Sequence, residues 1–217
     1  MIRRLAPLGS LVILVACVSA PERPPAADPE RAWETRQQML SPVMSWEIQG
    51  RVAVKTADEG WQATVHWTRA AERHDIDLAG PLGSGRVRLS QDRSGAQLRD
   101  ADQHTYHADS AQQLLYRVTG WDLPLDGLNY WVLGLPVPGV PWHEHLDAWG
   151  RLEQLQQLGW DIRFLEYLSE GGYEVPAKLF IKRSRVDEKN EATGARQPSP
   201  QPTLELRLVI QHWSKLE

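Results

Sequence analysis

Apolar and polar residues alternate along most of the chain with a period of two. Ala63, Val65 and Trp67 alternate with Gln62, Thr64 and His66, Ile76 and Leu78 with Asp75 and Asp77, and Val87 and Leu89 with Arg86, Arg88 and Ser90. Successive side chains of a strand point to opposite faces, so each run predicts a strand with one buried and one wet face. Val52 and Val54 precede these runs, and Ala96, Leu98 and Tyr106 follow them. Strands resume over about 150–182 through Leu152, Ile162, Phe164, Leu179 and Ile181. Leu204, Leu206, Leu208 and Ile210 then close the chain opposite Glu205, Arg207 and Gln211. Half-buried strands joined by short turns predict a mainly β fold with helices, an α+β protein built on an antiparallel sheet that curls.

Three segments carry helical spacing instead. Asp28 before Pro29 is an N-cap and first-turn signal, and with Trp33, Leu40 and Met44 it predicts a helix over 29–40 that Pro42 ends. Ser110 and Gln113 open a second helix with the stripe Leu114, Leu115 and Val118, stopped at Gly120. A third is predicted over 124–133, with Leu125, Leu128, Trp131 and Val132 on one side. The chain is Pro-rich over 136–142, and residues 184–203, charged and then rich in Pro and Gln, predict a long solvated loop.

The N-terminus does not belong to this domain. Arg3 and Arg4 precede an apolar run from Leu5 to Ala16, and Cys17 then opens a polar stretch containing Pro21, Pro24, Pro25 and Pro29. That is the anatomy of a secretory signal, and the run is shorter than the roughly 20 residues needed to cross a bilayer. Leu14-Val15-Ala16-Cys17 resembles the lipobox of bacterial lipoproteins, in which the Cys thiol receives a diacylglyceryl group and becomes the mature N-terminus. The resemblance implies a signal peptide over 1–16, a lipidated N-terminus and flexible tether over 17–28, and a single domain over 29–217. In such lipoproteins an Asp after the Cys favours the inner membrane; Val18 implies the outer membrane, with the domain facing the periplasm.

Composition narrows the function. The 217 residues carry 24 basic and 28 acidic side chains, and the part after residue 16 has a net charge of −6, which excludes a nucleic-acid backbone as main partner. The lone Cys leaves no internal disulfide and no thiolate metal cluster. Ten Trp against two Phe suit positions that are apolar on one side and wet on the other. His143 and His145 follow Pro141 in an irregular stretch without a third ligand, and His104 and His107 would face opposite ways in a strand. Gly83-Ser84-Gly85 leads into a strand and lacks a third glycine, so it is a turn and not a dinucleotide site. No nucleophile elbow or Walker-type lysine is present. No catalytic residue, metal or cofactor is expected, and a hydrolase on a β scaffold has no positive support.

Two stretches carry a family resemblance. Gly80-Pro81-Leu82-Gly83-Ser84, and the segment from Leu123 to Pro136 with Thr119-Gly120 before it, closely resemble the LolB family of outer-membrane lipoprotein receptors. The likeness is strong over about 46–135 and continues more weakly through Trp160 and Trp213. Trp33, Arg36, Gln37 and Gln38 resemble the family's first helix, while 136–142 and 184–203 depart from its pattern. The resemblance implies an unclosed antiparallel β-barrel with an apolar cavity and a short helical lid. It also implies a protein that takes acylated lipoproteins from a soluble periplasmic carrier, LolA-like, and places them in outer-membrane lipid. A monomer is expected.

The apolar side of the alternations supplies the candidate acyl-chain lining: Val54, Val65, Trp67, Ile76, Leu78, Val87, Leu89, Leu98, Trp131, Leu206 and Leu208. The same residues would equally fill a closed core, and periodicity does not separate the two; the resemblance favours lining. It also assigns Leu82, held between Pro81 and Gly83, to membrane insertion of cargo, against the alternative of a loop leucine folded onto the core. A second function stays open: a lipid or acyl-chain binding module or scaffold without insertase activity. Lipidation is directly testable, since metabolic palmitate should label the parent and not Cys17→Ala; equal labelling of both would remove the lipobox reading.

Overall fold

The computed structural model of the chain describes residues 24–81, 85–183 and 204–216. Cys17, Leu82, Gly83 and the 184–203 loop lie outside the described residues. The first helix, α1 (Pro29–Leu40), opens as its sequence predicts: the Asp28 carboxylate accepts from the Arg31 N–H at 3.0 Å and Pro29 stands in the first turn. Trp33 and Leu40 are its buried residues.

Six strands follow as a meander: β1 (Ser45–Lys55), β2 (Gly60–Ala70), β3 (Arg73–Ala79), β4 (Val87–Asp92), β5 (Gly95–Arg99) and β6 (Thr105–Ala108). Two helices interrupt, α2 (Ala111–Thr119) and α3 (Leu125–Trp131). A second meander then runs through β7 (Trp142–Leu146), β8 (Leu152–Gln157), β9 (Trp160–Glu170), β10 (Tyr173–Arg183) and β11 (Glu205–Lys215). The eleven strands form one antiparallel sheet in the order β6-β5-β4-β3-β2-β1-β11-β10-β9-β8-β7. The two meanders are joined through β1 and β11, and β6 and β7 remain as unpaired edges, so the sheet is unclosed. Both edges are short, which limits the backbone they offer for edge-to-edge association.

The segment between the edges supplies the lid. The Ser110 hydroxyl accepts from the Gln113 N–H at 3.2 Å to start α2, and Gly120 stops it, its N–H donating to the Tyr116 carbonyl at 2.8 Å. This helix lies against β4, β5 and β6, and its first N–H donates to the Gln91 side chain at 2.6 Å. The third helix is shorter than its apolar stripe predicts, because the chain after Trp131 tightens into turns, with the Gly134 N–H donating to the Trp131 carbonyl. The other local difference is β7. His143 and His145 lie in a regular edge strand paired with β8, but its first four residues are exposed, so no burial pattern marks it in the sequence.

One glycine is indispensable to the junction of the two meanders. The β1–β11 register shifts between Gln49 and Gly50, and a Cβ on Gly50 would lie 1.9 Å from the Val209 carbonyl oxygen. Backbone on the neighbouring strand cannot yield as a flexible side chain can. Gly50→Ala should therefore destabilise the fold by about 1–3 kcal/mol, the usual range for an overpacked site. Urea unfolding checks this, and a stability equal to that of the parent would show that the bulge can relax.

Candidate functional site

The interior face of the sheet and the lid together form one continuous apolar body. Val54, Val65, Trp67, Ile76, Leu89, Leu98, Trp131, Leu206 and Leu208 are buried in it, and Leu78 and Val87 pack against it half-buried. All eleven candidate lining residues thus come together, ten from strands and Trp131 from α3. Leu114, Leu115 and Leu128 of the lid helices occupy the same body. Gly127 permits the close fold of α3, since a Cβ there would meet the Trp131 ring at 2.8 Å.

An open cavity of about 310 Å³ lies beside this body, at the end of the barrel under the last turn of α1. Its walls are Leu40, Val43, Leu133, Leu135 and Pro136, with Gln37, Ser41, Arg69 and Tyr130 as polar members and Met44 and Trp142 among the lining residues that remain partly exposed. None of the eleven sequence-derived residues lines it. Most of its lining comes from the end of α1 with the turn after it and from the Pro-rich connection, with Arg69 added from β2, Tyr130 from α3 and Trp142 from β7, so no single period marks it.

Two polar arrangements hold the lid and α1 in place. Gln157, 3% exposed, accepts from the Trp131 indole at 3.2 Å and the Val137 N–H at 2.8 Å, and its amide donates to the carbonyls of Val137 at 2.9 Å and Val140 at 3.1 Å. One buried amide therefore ties α3 and the Pro-rich connection to β8. Its only sequence signal is a polar residue at an inward strand position.

Glu174 is the second anchor. Its carboxylate takes Arg36 of α1 at 2.6 Å on one oxygen and Arg151 at 2.8 Å on the other, while Asp147 holds Arg151 at 2.7 Å. Both guanidiniums lie over the Tyr167 ring, whose hydroxyl donates to the Leu152 carbonyl at 2.7 Å. Burial pushes the Tyr167 hydroxyl far above its ordinary range, so it stays protonated. Burial likewise disfavours the charge of Arg36, only partly offset by its neighbours. For Arg151 burial is outweighed by the hydrogen bonds it donates to Asp147 and Glu174, which raise its pKa.

A third group is incompletely paired. Trp46, Arg69 and His74 face each other across β1, β2 and β3, with Trp67 beside them, 5.1 Å from Trp46 and 6.2 Å from His74. The indole nitrogens of Trp46 and Trp67, His74 Nδ1 and Asn129 Oδ1 are buried without a hydrogen-bond partner among the described residues. Elsewhere, Asp100, Asp102 and His104 approach within 4.8 Å in the exposed β5–β6 turn, where Asp100 already accepts from Tyr106 and from the His104 N–H. Those contacts belong to the turn itself. No described helix is long and apolar enough to cross a membrane.

Comparison with known proteins gives consistent matches. The family model for outer membrane lipoprotein LolB matches residues 44–213. A protein of Nitrosococcus oceani named outer-membrane lipoprotein LolB is 37% identical over 207 residues, 95% of this chain and 94% of the relative. Proteins of the same name from Pseudomonas paraeruginosa and Pseudomonas putida are each 36% identical, over 72% and 74% of this chain and 77% and 78% of their own lengths.

The His74 environment has a measurable consequence. Burial, aided by the Arg69 charge and opposed by Asp126 and Asp75, pushes its imidazole from 6.5 down to about 4. The folded protein then binds fewer protons here than the unfolded chain between these values. Stability from this group is full above about 6.5 and is lost as pH falls toward about 4, by up to roughly 1.4 kcal/mol per pH unit. Urea unfolding from neutral to acidic pH should fall less steeply for His74→Gln than for the parent; parallel profiles would assign the loss to other groups.

Proposed function

The chain belongs to the LolB family of outer-membrane lipoproteins, and from that premise we propose that it accepts lipoproteins from a LolA-like soluble periplasmic carrier, holds their acyl chains in its apolar interior and inserts them into the outer membrane. It is a protein of lipoprotein localisation and not an enzyme. In this reading the diacylglyceryl group on Cys17 fixes the domain to the outer membrane, facing the periplasm, and no cofactor takes part. Two or more acyl chains hold a protein stably on a bilayer.

The observation that carries the reading is the lid. An unclosed sheet with an aliphatic interior is covered by α2 and α3, and the groups that fill the space are Leu114, Leu115, Leu128 and Trp131. Acyl chains present the same chemistry as these side chains. A lid that swings out leaves apolar surface that methylenes cover again, at about 0.8 kcal/mol each. Several of the lid's outer ties are exposed polar contacts, such as Gln112 to Asp122 and Arg117 to the His107 carbonyl, and contacts of that kind contribute little stability. The cavity of about 310 Å³ is near the lower bound of ordinary ligand sites, so a multiply acylated cargo requires this opening. Handover runs downhill from carrier to receptor to bilayer, each acceptor holding the chains more favourably than the donor.

Leu82 is the delivering residue in this reading; it follows Pro81, which is exposed after the end of β3. Burying a leucine contributes about 2 kcal/mol. Leu82→Glu should fold, accept cargo from the carrier at near-parent yield, and deliver to liposomes at least about tenfold more slowly. Normal delivery by the folded variant would remove Leu82 from the insertion step, and failure of the parent to deliver would favour the lipid-binding module without insertase activity. Depletion of the protein in cells should leave lipoproteins stalled on their carrier, and unchanged lipoprotein localisation would overturn the receptor reading as a whole.

A further inference from the structure

Arg69 is 7% exposed, yet it has no carboxylate partner among the described residues. Its Nε donates to the Ala71 carbonyl at 3.2 Å and its guanidinium lies 5.9 Å from the Tyr130 ring centroid. The four terminal N–H bonds meet no acceptor among the described residues, and the side chain lines the cavity beneath α1. The indole N–H groups of Trp46, opposite Arg69 on β1, and of Trp67, two residues before it on β2, are also without acceptors, and Asn129 Oδ1 is a buried acceptor without a donor. Arg69 therefore presents unpaired donors to a cavity whose other polar lining side chains are Gln37, Ser41 and Tyr130. Donors held between apolar walls gain from a ligand that brings acceptors.

We infer that Arg69 and the cavity around it hold the ester carbonyls of the diacylglyceryl head of the cargo, so that this end of the barrel reads the polar part of the lipid while the interior takes its chains. The inference rests on the receptor reading above. Ester carbonyls are acceptors that the unpaired N–H groups of Arg69 can serve. The walls Leu40, Val43, Leu133 and Leu135 suit the first methylenes after the carbonyls.

The topology gives this site a direction. Arg69 and His74 pair at the start of β3, whereas Pro81 follows the far end of the same strand. At about 3.3 Å per residue the strand separates the two ends by roughly 20 Å. A head held at Arg69 leaves the acyl chains pointing along the interior toward the β3–β4 turn, so they leave the protein tails first.

The test compares two probes on the full chain carrying Cys17→Ala, which offers no competing acyl group of its own. One probe is a short peptide bearing an S-(2,3-diacyloxypropyl)cysteine, and the other is its dialkyl ether counterpart, with equal chains but weak acceptors. The parent should bind the ester probe about tenfold more tightly, and Arg69→Met should bring the ratio close to one while Arg69→Lys retains part of it. A loss of packing would weaken both probes alike and leave the ratio unchanged. Equal binding of the two probes by the parent overturns the inference and leaves the receptor reading intact, and the parent measurement needs no variant to fold. A tenfold ratio that survives in Arg69→Met also overturns it, because the carbonyls are then read elsewhere. Displacement of the ester probe by palmitate in an Arg69-dependent manner would assign the site to a carboxylate instead and overturn it. Failure of the parent to bind either probe removes the receptor reading itself.

Discussion

The pairing of β1 with β11 is the constraint on which the remaining structure depends. It joins a meander of six strands to a meander of five and leaves β6 and β7 at opposite edges. The chain leaves β6 and must reach β7, and it cannot do so along the sheet. It crosses the concave face instead, and a segment that crosses an apolar face buries apolar residues or exposes the face to water. That is why α2 and α3 carry Leu114, Leu115, Leu128 and Trp131 inward. The close approach at Gly50 is part of the same constraint, since it lets the strand that joins the two halves bend at its register shift.

Polar groups divide the interior into fixed and unfinished regions. Gln157 and Glu174 use their acceptors and donors fully, and such satisfied networks rigidify what they touch. They secure the second meander, α1 and the Pro-rich connection. The opposite wall, made by the first meander, holds the incompletely paired group of Trp46, Trp67, Arg69 and His74. Tyr130 of α3 faces Arg69 on that wall while the next residue, Trp131, is tied to Gln157, so the last turn of α3 touches both a finished network and an unfinished one.

The strands and helices were legible because burial on one face leaves a period in the sequence. Asp28 and Ser110 cap helices as their positions imply, and the eleven apolar residues of the alternations do share one interior. β7 was not legible because nearly all of its residues are exposed. The cavity escaped for a different reason: Leu133, Leu135 and Pro136 line it from a segment without regular structure. The Arg36–Glu174 and Trp131–Gln157 contacts join residues 138 and 26 positions apart, and no local pattern encodes such a pairing. Arg69 at an inward strand position, flanked by Trp67, was the one visible irregularity at the unfinished end.

A filled interior has consequences for a receptor in a downhill chain of transfers. If acyl chains enter by displacing the lid's leucines, part of their binding energy is offset by the contacts the lid gives up, and the apparent affinity is lower than the intrinsic one. A permanently open cavity of the same lining would hold the chains more tightly. It would then have to be emptied against that affinity at the bilayer, with no nucleotide motif in the chain to drive the step. A lid that refills the space as the chains leave contributes its own burial to release, because the apolar surface vacated by each methylene is covered again by protein. The lid thus competes with the cargo for one surface, and that competition sets the receptor's affinity between carrier and membrane.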